Sequence, residues 1–124
     1  MKKHTDYGKA PQLYCHLKKL LDYYDNILHL AYESIDYGVH KSQADSYGRF
    51  IGVIELIAMQ YKLNITCYGP THIKRIVAGI GSASKSQMIE AVNIKYSLSV
   101  KDDNEADAIG IYHTYYEEKF NNVR

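Results

Sequence analysis

Two groups of oxygen-bearing side chains have the types and spacing that metal-dependent chemistry requires. Glu33 comes directly after a short apolar run at residues 27–32, and the sites of open α/β sheets collect at the carboxyl ends of their strands. Asp103 and Asn104 lie four and three residues before Asp107, so either one shares a helix face with it. Such oxygens can hold Mg²⁺ with few protein ligands and several waters.

Each group also has an explanation without chemistry. Glu33 could be a solvated loop residue, and acids in the first turn of a helix complement its dipole. Asp107, however, shares a face with the apolar Ile111, and a carboxylate turned towards a core needs a partner, for which a metal is one candidate. The residues alone leave both interpretations open.

Basic residues and a glycine turn lie between the two acidic groups. Residues 72–95 contain one acid, Glu90, and four basic residues, Lys74, Arg75, Lys85 and Lys95. Within this stretch Gly79-Ile80-Gly81 separates two predicted helices, an arrangement that can direct backbone N–H groups at a phosphate. The glycines could also cap one helix and allow a turn. The net charge of +1 by itself gives no information about nucleic-acid binding.

The elements that must position these residues follow the order α-β-α-β-α-α-α. Apolar spacing predicts helices at residues 13–24, 42–61, 71–77, 84–96 and 103–118, and strands at 27–32 and 63–68. Asp102 with Glu105 predicts a capping box for the last helix. Gly48 and Gly52 lie four apart in the second helix and indicate that a neighbouring strand or a partner helix comes close.

The length and composition set the class of protein. The 124 residues suffice for one domain, residues 1–124, and 46% of them are apolar, so a packed core is expected. No run approaches the roughly 18–20 apolar residues of a membrane helix, and the first residues do not resemble a secretory signal. Two cysteines are expected to be reduced thiols of a cytoplasmic protein. Two strands are fewer than a stable sheet usually needs, so the predicted architecture is incomplete at its N-terminal end.

Taken together, these segments resemble the RuvC-like Holliday-junction resolvases. Residues 79–87, GIGSASKSQ, match the family's G-x-G-x-A-x-K-x-Q motif, and residues 105–108, EADA, match its acidic stretch ending in Ala-Asp-Ala. Upstream, residues 30–33, LAYE, resemble the strand that ends in a catalytic Glu. The order and spacing agree over most of the chain, about residues 17–118.

The resemblance implies a ribonuclease H-like (RuvC-type) α/β fold and a homodimer that nicks four-way DNA junctions symmetrically with Mg²⁺ or Mn²⁺. Glu33 and Asp107 would be metal-binding carboxylates, joined by Asp103 or Asn104. The implied DNA-binding residues are Lys74, Arg75, Gly79, Gly81 and Lys85. Paired ions would activate a water and stabilise the attacking and leaving oxygens.

Two departures from the family pattern matter. The family has an Asp three residues before its last one, where this chain has Asn104. The family also begins with three strands, the first carrying an essential Asp, whereas only residues 1–12 precede the first predicted helix, and Asp6 follows no apolar run. The resemblance therefore indicates a RuvC-like domain that lacks the first three strands, as expected of a truncated or split gene product, for example from a phage.

Three functions are compatible with the sequence. The chain could be a junction resolvase whose first strand is supplied elsewhere, or a remnant that binds branched DNA without cutting it. The third alternative is unrelated to the family: a small DNA-binding protein built on a helix-hairpin-helix around Gly79-Ile80-Gly81. A strand at residues 27–32 would argue against the third.

Overall fold

The predicted order of elements is confirmed by the computed structural model, which describes residues 7–34 and 41–121. The helices are α1 (Lys9–Tyr23), α2 (Lys41–Tyr61), α3 (Pro70–Ala78), α4 (Lys85–Tyr96) and α5 (Asp103–Phe120), and the strands are β1 (His29–Glu33) and β2 (Asn64–Tyr68). Asp6, the one acid that precedes the first predicted helix, lies outside the described residues.

The two strands pair in parallel. Asn64 N–H donates to the Leu28 carbonyl at 3.1 Å, and Ser34 N–H donates to the Tyr68 carbonyl at 2.8 Å, so both strands run the same way. This confirms the predicted short parallel sheet and argues against the purely helical alternative. Glu33, expected just after the strand, is its last residue.

The described residues divide into two compact units, one of residues 7–30 and 41–66 and the other of residues 31–34 and 67–121. In the first unit α1 packs on α2, and Leu21, Ile57 and Ala58 are buried. Tyr61 donates a hydrogen bond to Asp22, which also receives one from Lys18 at 3.0 Å. This cluster is exposed, so it adds little to the free energy of unfolding.

The glycines of α2 lie on an open surface. A Cβ atom added at Gly48 or at Gly52 would have no described atom within 4 Å. The prediction that a neighbouring strand approaches them is therefore wrong for the described part of the chain. A partner helix remains the other explanation.

In the second unit α3, α4 and α5 pack around a shared core. Its buried residues are Tyr68, Ile73, Val77, Ala83 and Met88, and a second cluster contains Val92, Val100 and Ala106. Gly110 on α5 lets the helices approach closely, because an added Cβ would lie 3.3 Å from Met88 Cε and 3.4 Å from Val77 Cγ2. A packing role for this glycine was not predicted from the sequence.

The glycine turn serves the packing of α3. Gly79 has φ +86° and forms the left-handed C-cap of α3, donating its N–H to the Arg75 carbonyl at 3.0 Å. A Cβ on Gly81 would lie 2.7 Å from Thr71 Cγ2. The interpretation of these glycines as a cap and a turn is confirmed, whereas their expected role in DNA binding stays a prediction.

Local hydrogen bonds begin the last two helices. Ser84 caps α4 through a reciprocal capping box, in which its hydroxyl accepts from Gln87 N–H and Gln87 Oε1 accepts from Ser84 N–H. Asp102 caps α5 as predicted, but its carboxylate accepts from Asn104 N–H at 2.9 Å. The prediction that Asp102 forms a capping box with Glu105 is therefore wrong, since its partner is Asn104. The capping box of Ser84 and Gln87, within residues 79–87, was not predicted from the sequence.

Each helix within residues 7–34 and 41–121 is too short or too polar to cross a membrane. Cys15 and Cys67 are both free and exposed. The expectations of a single domain and of a cytoplasmic location stay predictions.

Candidate active site

A pocket in the second unit brings together the acidic and basic residues singled out from the sequence. It encloses about 170 Å³. Its lining is charged at Glu33, Lys74, Lys85 and Asp107, and apolar at Pro70, Ile73, Ala83, Met88 and Ile111. Two carboxylates and two lysines from four different elements therefore surround one small apolar-walled space.

Each charged group reaches the pocket from the end or the first turns of an element. Glu33 ends β1, and Lys74 lies on α3, which Pro70 starts at a position where the missing N–H costs nothing. Lys85 is the first residue of α4, after the Ser84 cap. Asp107 lies on α5 one turn before Ile111, so both share the pocket-facing side.

The electrostatics of the pocket centre on Asp107. Burial raises the pKa of its carboxyl, and the negative charge of Asp103 raises that pKa further. The positive charges of Lys74 and Lys85 lower the pKa and so oppose part of this effect. Burial thus disfavours the ionised carboxylate of Asp107, whereas the two lysines favour it, and a bound cation would favour it further.

Asp103 and Asn104 differ in their neighbours. Asp103 acts electrostatically on Asp107 and forms an ion pair with Lys85, with 3.4 Å between Oδ2 and Nζ. Asn104 is exposed, and its backbone N–H is used by the Asp102 cap. These contacts favour Asp103 as the third acidic group at this site.

The remaining predicted residues lie away from the pocket lining. Arg75 is exposed on α3, and Gly79 and Gly81 form the turn after it. Of the nine residues expected at the site, four line the pocket and one more, Asp103, acts on it. The DNA-binding roles of Arg75 and of the two glycines remain predictions.

The donor set fits a hard divalent cation with few protein ligands. Within the described ranges no group of three or more His, Cys, Asp or Glu side chains is placed to hold a metal ion. The pocket supplies the two carboxylates Glu33 and Asp107, and Mg²⁺ commonly binds through one or two carboxylates while it keeps several waters. The raised pKa of Asp107, which comes first from burial and then from the charge of Asp103, is a second feature that a bound cation would oppose.

A hydrogen-bonded network close to the pocket was missed from the sequence. His72 Nε2 and Glu118 Oε1 are hydrogen bonded at 2.7 Å. The hydroxyl of Tyr68 also bonds to Glu118, and burial followed by the charge of Glu118 raises the pKa of this phenol to about 12. Since Tyr68 O accepts from Ser34 N–H, the network holds the segment next to Glu33. One signal was present: Glu118 lies seven residues after Ile111, on the same helix face.

Comparisons with known proteins agree with this fold. The family model described as crossover junction endodeoxyribonuclease RuvC matches residues 6–115. A protein of that name from Chloroherpeton thalassium is 37% identical over 86 residues, which cover 66% of this chain and 45% of the relative. One from Roseiflexus is 33% identical over 107 residues, covering 83% and 63%.

Solved structures show the same fold. The structure of Thermus thermophilus RuvC superposes with a TM-score of 0.74 at 20% identity, covering 89% of this chain and 67% of that one. A second structure holds T. thermophilus RuvC in complex with Holliday junction substrate, with a TM-score of 0.70 at 19% identity, covering 85% and 64%. The predicted ribonuclease H-like fold is confirmed.

The chain spans about half the length of the curated relatives that it matches. The match to the family model nevertheless includes β1, the glycine turn and the start of α5, and so every residue that lines the pocket. The chain therefore belongs to the RuvC family of crossover junction endodeoxyribonucleases.

Proposed function

We propose that this protein is a metal-dependent endonuclease that binds four-way DNA junctions and nicks two strands symmetrically. The observation that supports it most is the meeting of Glu33 and Asp107, 74 residues apart in sequence, in one pocket with Lys74 and Lys85. Carboxylates suit a divalent cation and lysines suit a phosphate. Neither pair alone would distinguish a nuclease from a charged surface.

The residues of the pocket would have different roles in phosphodiester hydrolysis. Glu33 and Asp107 would hold Mg²⁺ or Mn²⁺, with Asp103 as the third acidic group in place of Asn104. When bound, the cation supplies Lewis-acid stabilisation of the charge that develops on the phosphate oxygens. Lys74 and Lys85 bind and orient the phosphate beside the apolar wall formed by Ile73, Met88 and Ile111.

Symmetric nicking requires two such sites, so the functional form would be a homodimer. Gly48 and Gly52 of α2 give a surface where a partner helix could approach without a clash. Sedimentation of the purified chain tests this, since a monomer at all concentrations would contradict the dimer.

A nicking assay on a synthetic four-way junction tests the activity. With Mg²⁺ present, Glu33→Gln and Asp107→Asn should each lower the rate by more than about 100-fold, because even residues that only orient metal ligands are worth 10–100-fold. Glu90→Gln, an exposed carboxylate on α4 away from the pocket, is the matched control and should keep its rate. Equal loss in all three variants would contradict the proposed site.

The second candidate is a module that binds branched DNA without cutting it. It is favoured by the absence, among residues 7–34 and 41–121, of a group of three metal-ligating side chains. In that case the wild-type chain would shift the mobility of a four-way junction but nick it at no concentration of Mg²⁺ or Mn²⁺. Nicking by the chain alone would exclude this candidate.

A further inference from the structure

A row of aromatic side chains on α5 plays no part in the pocket. Tyr112, Tyr116 and Phe120 follow one another at four-residue spacing, with ring centroids 6.3 and 5.0 Å apart. Tyr96, from the end of α4, continues the row at 6.2 Å from Tyr112. The three α5 rings are 54%, 41% and 64% exposed. Aromatic side chains usually bury most of their large surface, so this aromatic row is unusual on a free face.

The aromatic row lies on the opposite side of α5 from the pocket. At about 100° per residue, Tyr116 is about 180° around the helix from Asp107, and Tyr112 and Phe120 are each within about 40° of Tyr116. A phosphodiester bound between Lys74 and Lys85 would therefore leave the aromatic row uncovered. Its occupant must be another molecule or another segment of the nucleic acid.

The aromatic row is held in place by its neighbours. The Tyr96 hydroxyl and His113 Nδ1 are hydrogen bonded at 2.7 Å, and the two rings meet edge to face at 5.6 Å. Beside them lies an open pocket of about 450 Å³, lined by Lys95, Tyr96, Tyr112, His113 and Tyr116. The ring faces are thus presented by fixed side chains beside a space large enough for a planar group.

Lys95 brings a positive charge to the lining of this pocket. Its side chain is exposed and forms no ion pair with any residue in the described part of the chain. The nearby Glu117 does not line the pocket, and its Oε1 lies 3.7 Å from His113 Nε2 while its Oε2 accepts from Asn121 at 3.0 Å. An anionic ligand with flat rings complements this combination, whereas the centre of a protein–protein interface is normally depleted of charge.

We propose that the aromatic row binds single-stranded DNA, with bases stacked on Tyr112 and Tyr116 and a backbone phosphate neutralised by Lys95. Aromatic side chains along a basic surface are the usual means of binding unpaired nucleic acid without sequence preference. The surface goes beyond the proposed nuclease activity, because it uses neither Glu33 nor Asp107. It gives the protein a second contact for an unpaired segment of its substrate.

Binding of fluorescent oligothymidylate, about 12 nucleotides long, to the full chain tests the proposal. Fluorescence anisotropy at low salt and without metal should give saturable binding that weakens as salt is raised. Tyr112→Leu with Tyr116→Leu should weaken it by about 25-fold or more, since each of the two stacked bases is worth about 5-fold or more. Tyr112→Phe with Tyr116→Phe keeps the rings and should bind as the wild type does.

The controls separate stacking from other losses. Tyr23→Leu removes a tyrosine that is 79% exposed in the other unit and should leave oligothymidylate binding unchanged. Lys95→Gln should weaken binding and reduce its salt dependence. Circular dichroism melting of each variant identifies any that unfolds. If the double Leu variant does so, Lys95→Gln carries the test instead.

Three results would overturn the proposal. The first is failure of the wild type to bind oligothymidylate, and the second is full binding by the double Leu variant. The third is loss of self-association in that variant with unchanged binding of oligothymidylate, which would assign the aromatic row to contact with a second copy of the chain. Because neither a junction nor a metal is present, failure here is distinct from failure of the nuclease proposal.

Discussion

At the residue scale, the motif GIGSASKSQ has mainly structural roles. Gly79 caps α3, and Gly81 permits close contact with Thr71. Ala83 is 3% exposed in the core, and Gln87 closes the capping box of α4. Within the motif only Lys85 and Ala83 line the pocket, and only Lys85 brings a charge there. A motif that identifies a nuclease family therefore places one charged side chain at the pocket and stabilises the turn that carries it.

A substitution at Gly81 should lower stability through a steric contact and not through backbone strain. Gly81→Ala should lower the free energy of unfolding by about 1–3 kcal/mol, because its Cβ would lie 2.7 Å from Thr71 Cγ2. Thr71→Ser removes that methyl group, so the double variant should recover most of the loss. Urea unfolding measures each value.

The matched control is Gly48→Ala on the open face of α2. A Cβ there meets no described atom within 4 Å, so alanine should raise the free energy of unfolding by about 0.5–1 kcal/mol through helix propensity. If Gly81→Ala behaved like Gly48→Ala, the close contact with Thr71 would be contradicted.

At the scale of elements, the starts of α4 and α5 position the charged groups of the site. Lys85 follows the Ser84 cap directly, and Asp103 follows the Asp102 cap. These two first residues then form the ion pair at 3.4 Å. Capping therefore contributes to the site as well as to helix stability, because a shift of either helix start would separate the pair.

The capping box of α4 should be measurable on its own. Ser84→Ala removes the acceptor for Gln87 N–H and should cost about 1 kcal/mol of unfolding free energy. Ser86→Ala, an exposed serine within the first turn, should be neutral or stabilising by up to about 0.5 kcal/mol. Denaturant midpoints at constant slope compare the two, and equal effects would exclude a special role for Ser84.

At the scale of the whole molecule, pH should affect stability through Tyr68. An ordinary phenol ionises near pH 10, but the pKa of Tyr68 in the folded chain is about 12. Between these values the unfolded chain releases a proton that the folded chain keeps, so rising pH favours unfolding. The contribution is complete below about pH 10 and is lost as the pH approaches 12, by roughly 1–3 kcal/mol.

Stability measured by urea between pH 9 and about 12 tests this. Tyr68→Phe should lose less stability over that range than the wild type, although it begins lower because a hydrogen bond to Glu118 is gone. Tyr23→Phe, whose side chain is 79% exposed, should keep the wild-type slope. Identical slopes for wild type and Tyr68→Phe would contradict the raised pKa.

The sequence by itself determined the order of the elements, the class of fold and the family. Helix and strand periods are local, so α2 was predicted to within one residue at its start, and residues 79–87 and 105–108 needed no structure to be matched. Cap partners and glycine contacts were less predictable. They depend on which neighbour comes within hydrogen-bond or van der Waals distance, as the bond from Asp102 to Asn104 and the contact of Gly110 illustrate.

Only the tertiary structure decided which of these residues meet. It placed Lys74, Lys85, Glu33 and Asp107 around one pocket and turned Arg75 away from it. It also brought Tyr96 next to the aromatic row of α5, whose first member, Tyr112, lies 16 residues further along the chain. The physical reason is that side-chain periodicity defines the faces of each helix, whereas the packing of α3, α4 and α5 decides which faces share a pocket and which remain open.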